Sequence, residues 1–122
     1  MSQTLYLDWL LLWRLVEQSS SAFYKLLRVF SAPKMALMAS SLEWQQAGVS
    51  AKIAASYSQW QQGHDTSIAQ DISKTLKTLE QLQITVITLD DSRYPPLLKE
   101  IPDAPPLLFC RGEISHLTWP DR

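Results

Sequence analysis

Glycine is scarce in this sequence, with only Gly48, Gly63 and Gly112 among 122 residues. So few leave no glycine-rich loop to cradle a phosphate and no nucleophile elbow. Cysteine is scarcer still. The single Cys110 excludes an internal disulfide framework and suits a reducing compartment. It follows the apolar run Leu107-Leu108-Phe109, where a thiol is expected to pack rather than react. His64 and His116 stand alone, without a partner at metal-ligand or catalytic spacing, so no metal site is expected and His64 is read as solvated in its turn. Neither sign of charge prevails: 11 Lys and Arg face 12 Asp and Glu, which gives no overall basic footprint. Long apolar runs are missing too. The stretch Leu5–Val16 contains Asp8 and Arg14, lacks a positive flank before it and is too short to span a bilayer. The expectation is a soluble, cytoplasmic protein with no membrane contact, cofactor, metal or catalytic residue, and so not an enzyme.

What is present is enough for a core, since 46% of the residues are hydrophobic. Charge is spread unevenly. Residues 1–62 hold five bases (Arg14, Lys25, Arg28, Lys34, Lys52) and three acids, net +2, whereas residues 63–122 hold six bases and nine acids, net −3.

Periodicity predicts helices through the first two thirds of the chain. Thr4 to about Glu17 carries Leu5, Trp9, Leu12, Trp13 and Val16 on one face, and further leucines around most of the rest. A helix apolar nearly all round is either buried on several sides or awaits a partner. Ser19, Ser20 and Ser21 offer caps for a second helix to Phe30, striped by Phe23, Leu26, Leu27 and Phe30. Pro33 opens a short third helix, to about Ala39. Ser40 and Glu43 form a capping box before a helix that ends at Ala47, with Gly48 as its terminator. Ser50 caps the next helix, Ala51 to about Gln62, and Gly63 stops it. A last helix spans about Ser67 to Gln81, with Asp65 and Ser67 as cap candidates. The period then changes: Ile84–Leu89 and Leu107–Arg111 read as two short buried strands. Two strands do not make a stable sheet alone, so they are expected to pack in part on the helices.

One local motif suggests chemistry. Leu42–Ala54 has the outline of a helix-hairpin-helix, with an apolar helix, a Gly48-Val49-Ser50 turn, and a second helix carrying Lys52. A tight glycine turn can bare backbone N–H groups to a phosphate without reading sequence, and Lys52 adds charge. Gly48, Ser50 and Lys52 are therefore the candidate DNA-contacting residues. Ser50 stands where such hairpins usually have a second glycine, and the same residues also make an ordinary packing unit. The Ser19–Ser21 turn is a second, degenerate hairpin expected only to pack. Trp9, Trp13, Trp44 and Trp60 fall on apolar faces and are expected in the core rather than stacked on bases, with Trp119 apart from them. Asp90-Asp91 are read as turn-formers, since Asp bonds its own local backbone readily.

The remaining feature is the run Leu89–Gly112, which holds five of the seven prolines yet is rich in leucine. Two adjacent prolines exclude helix interior and central strand, so an ordered, extended brace between the two strands is expected. Its Tyr94-Pro95-Pro96-Leu97-Leu98, Ile101-Pro102-Asp103-Ala104-Pro105-Pro106 and Arg111-Gly112 resemble, in order and spacing, the DprA/Smf family. The preceding Ile84–Asp90 resembles that family's first strand, and the helical part resembles its N-terminal region more loosely.

The resemblance implies a DNA-processing protein of natural transformation that binds incoming single-stranded DNA and helps load the RecA recombinase. It implies a mainly α chain: a sterile-alpha-motif-like or helix-hairpin-helix bundle over 1–82, then the first two strands of a truncated Rossmann-like α/β domain over 83–122. The family's Gly-Ser-Arg DNA-binding loop would follow Arg122, so no DNA contact of that domain is carried over. The helical part would be accessory. The alternative is a stand-alone helical interaction module that forms a homodimer and touches no DNA.

Overall fold

The structure, a computed structural model, describes residues 2–111. Six helices come first: α1 (Ser2–Leu15), α2 (Ser20–Phe30), α3 (Pro33–Leu37), α4 (Ser41–Ala47), α5 (Ala51–Gln61) and α6 (Ser67–Gln81). Strand β1 (Ile84–Thr88), one-turn helix α7 (Pro96–Lys99) and strand β2 (Leu107–Arg111) follow. The chain is thus mostly helical, with a two-stranded antiparallel sheet at its C-terminal side. Among the described residues no helix is long and apolar enough to cross a membrane.

The apolar girth of α1 has an internal explanation. No residue from Tyr6 to Val16 is exposed, and the helix lies against α3, α5, α6 and β1. Phe23 of α2 closes over it, stacked on Trp9 at 5.6 Å and edge-on to Trp13 at 5.9 Å. Between α1 and α2 the chain turns through Glu17 and Gln18, both left-handed at φ 57° and 61°, and Ser19 then caps α2 by accepting from the Ala22 N–H.

The third helix ends at Leu37, two residues before the expected Ala39. Its C-terminal carbonyls turn toward α4 and α5 instead of extending the helix. Trp44 donates its Nε1–H to Ala36 O at 2.8 Å, and the Tyr57 hydroxyl reaches the carbonyls of Leu37 and Ala39. The two rings stack face to face, 3.7 Å between centroids, and both side chains are fully buried. At α6 the capping differs from expectation. Thr66 holds the N-cap position without a side-chain bond, while Asp65 accepts from the Ser67 N–H and hydroxyl.

The strands pair in register Ile84 to Arg111, Val86 to Phe109 and Thr88 to Leu107. Because side chains alternate across a strand, each face of the pair has its own neighbour. Val86 and Leu107 enter the same buried cluster as the helices, while Ile87 and Leu108 pack with Tyr94 and Leu98 on the other side. Each face of the two-stranded sheet is therefore packed in part, with Phe109 left exposed. The brace is also not extended throughout. Pro95 takes the N-cap and Pro96 the first turn of α7, where a missing N–H costs nothing. The strands run antiparallel, so these two do not form a parallel β–helix–β unit.

Candidate nucleic-acid interface

The hairpin singled out by sequence forms between α4 and α5. The capping box is complete: Ser40 Oγ accepts from the Glu43 N–H, and Glu43 Oε1 accepts from the Ser40 N–H at 2.8 Å. Gly48 terminates α4 at φ 112°, a region costly for any residue with a Cβ. Ser50 Oγ then accepts from the Ile53 N–H and opens α5.

The hairpin uses part of its own backbone donors. The Gly48 N–H bonds Gln45 O, the Val49 N–H bonds Trp44 O, and the N–H groups of Ile53 and Ala54 go to Ser50. Gly48 and Ser50 are exposed in the turn and serve the hairpin itself. Lys52 is 81% exposed, with Glu17 Oε1 at 3.8 Å, a loose surface pair of small energetic weight.

The fold adds a cation that sequence reasoning did not connect to the hairpin. Lys25 of α2 donates from Nζ to Gly48 O at 3.2 Å, and its Cδ lies 3.2 Å from where a Cβ on Gly48 would sit. No local signal announces this contact, because the two residues are 23 apart and meet only through packing of α2 on α4. Among the described residues no group of acids, His or Cys is placed to hold a metal ion. His64 is exposed, as expected, and His116 and Trp119 lie outside the described residues. Trp9 and Trp44 are buried, and Trp13 and Trp60 are half-buried against the core, so these rings are structural.

The proline-rich segment is assembled around backbone carbonyls. Asp91 accepts from the Arg93 backbone N–H and from its guanidinium at 2.7 Å, which closes the turn after β1 and holds the Asp91 carboxyl below its usual range. Pro105 and Pro106 carry no N–H, so this stretch is short of donors. Two tyrosines supply them. Tyr94 donates its hydroxyl to Pro105 O at 2.7 Å, and Tyr24, from α2, donates to Ala104 O at 2.5 Å. Burial pushes the Tyr94 phenol up to about 12, and also raises Tyr24. Cys110 is half-buried on the same side of the sheet as Leu98, and burial raises its thiol.

The fold is thus that of a helical bundle clasping a strand–proline–strand segment. Residues 85–121 match the model of one family, DNA recombination-mediator protein A, the DprA family that the proline-rich motif resembles. The match begins inside β1 and covers the tyrosine-held brace with α7 and β2, while helices α1 to α6 lie outside it. No curated protein and no solved structure matches the chain.

Proposed function

We propose that this chain is the N-terminal part of a DNA-processing protein of natural transformation, one that binds single-stranded DNA and helps load the RecA recombinase in the cytoplasm. The observation that carries the reading is the family match over residues 85–121, which falls on the segment whose motif spacing is most specific. In this reading β1 and β2 open a Rossmann-like DNA-binding domain, and the sterile-alpha-motif-like or helix-hairpin-helix bundle is accessory. The chain acts by binding, not by catalysis. Deleting its gene should sharply lower transformation by homologous chromosomal DNA, and a copy in trans should restore it. Unchanged transformation would sink the reading. A Gly-Ser-Arg loop encoded beyond Arg122 would support it independently.

A homodimerising module is the second reading. The broad apolar surface of α1 no longer favours it, since that helix is enclosed. The exposed Met35, Met38 and Leu42 on α3 and α4 do favour it, and sedimentation of the chain is the measurement that decides.

A further inference from the structure

On α2, Ser21, Lys25 and Arg28 share one face at helical spacing, and a cleft of 590 Å³ opens beside them. Ser20, Ser21, Lys25 and Arg28 form one wall and Pro102 and Asp103 the other. Among the described residues neither Lys25 nor Arg28 has a carboxylate within salt-bridge distance. The bond from Lys25 to Gly48 O brings the cleft up to the α4–α5 turn, and Lys52 lies one turn beyond it, on α5. Two cations with serine hydroxyls thus line the cleft, against Asp103 across it.

A larger cavity of 740 Å³ lies at the seam of α1, α2 and the α7 region, and it makes a useful contrast. There Lys34 and Lys99 are outnumbered by Asp8, Asp90 and Glu100. A phosphate is repelled by that balance and attracted by the first.

We infer that the cleft between α2 and Pro102–Asp103 is a sequence-independent groove for the backbone of single-stranded nucleic acid, with Lys25 and Arg28 as phosphate contacts. The inference rests on the DNA-processing reading above and assigns that function a surface in the helical part. Contacts from Lys25, Arg28 and the serine hydroxyls to phosphate position a strand without selecting sequence.

The test is fluorescence anisotropy of a labelled oligothymidylate with the full 122-residue chain across a salt series. Weak, salt-sensitive binding is expected. Lys25→Ala with Arg28→Ala should reduce affinity about tenfold at low salt and flatten the log–log salt slope by about 1.4, for two lost contacts at roughly 0.7 each. Asp103→Asn should tighten binding. Lys34→Ala with Lys99→Ala should leave it within about twofold of wild type. Circular dichroism melts establish that each variant folds. The groove is overturned if the wild-type chain does not bind at low salt, if the Lys25/Arg28 variant binds like wild type, or if the Lys34/Lys99 variant carries the loss. Such a failure with transformation still dependent on the gene condemns the groove alone, whereas transformation indifferent to the gene condemns the functional reading.

Discussion

The helical bundle and the strand–proline–strand segment are held together by opposite means. In the bundle, backbone groups are satisfied within helices and caps, and side chains such as Leu12, Phe23, Trp44 and Tyr57 supply a continuous apolar interior. In the segment, prolines remove donors from the backbone, and side-chain hydroxyls from Tyr24 and Tyr94 replace them. The segment's sequence carries the family match, whereas one face of its packing is borrowed: Val86 and Leu107 reach their buried surroundings through the helices. Specificity of motif and independence of fold are therefore separate properties, and they lie in different regions of this molecule.

The strongest test of that dependence is Trp44→Ala. The ring is fully buried, stacked on Tyr57, and its indole N–H is bonded to Ala36 O. Its removal leaves a large cavity, a cost of about 3–5 kcal/mol. Trp44 belongs to the same buried cluster as Val86 and Leu107. Urea unfolding followed by circular dichroism should therefore shift in step with loss of hydrogen-exchange protection at Ile87 and Leu89, whose N–H groups point across the strand pair. Strand amides that stay protected after the helices melt would show that the segment stands by itself.

High pH compares the two regions directly, because each holds one tyrosine whose phenol is pushed up to about 12 by burial: Tyr57 in the bundle and Tyr94 in the segment. The unfolded chain releases these protons near 10.0, the ordinary value for a tyrosine, while the folded chain keeps them. Stability from each group is thus complete below pH 10 and is lost as pH rises toward 12, by about 2 kcal/mol per tyrosine. Tyr57→Phe and Tyr94→Phe should each flatten this alkaline loss, at the expense of a hydrogen bond at neutral pH. If the regions unfold as one, both substitutions flatten the same transition. If Tyr94→Phe leaves the slope of the helical signal unchanged, the coupling is absent.

Much of the bundle was legible because its signals are local. The Ser40–Glu43 capping box, the Ser50 cap, the Gly48 terminator and the whole of α6 follow from spacing within a single turn or from periodicity. The shortened α3 was not legible, since Tyr57 and Trp44 reach its carbonyls from 8 to 21 positions away. The brace was misjudged as wholly extended because two prolines argue against helix interior, yet a one-turn helix has only a first turn. At the candidate interface, Lys52 was found through its place in a motif. Lys25 and Arg28 were not, because the cleft they line exists only once the Pro102–Asp103 turn is folded against α2.

The smallest effect probes the seam itself. Tyr24 is half-buried on α2, and its hydroxyl makes the long-range bond to Ala104 O, 80 residues away. Tyr24→Phe keeps the ring and its packing and deletes only that donor. The Ala104 residue is buried and the following two residues are prolines, so no neighbouring N–H within the run can take over. Partial access of water to the seam limits the cost to about 1 kcal/mol. The loss should be uneven, with faster hydrogen exchange at Leu89, whose N–H bonds Pro106 O, and little change at Ala54 in α5. Equal loosening at both positions would mean that the hydroxyl stabilises the fold as a whole. No loosening at Leu89 would mean that the apolar contacts of Val86 and Leu107 hold the two regions together without it.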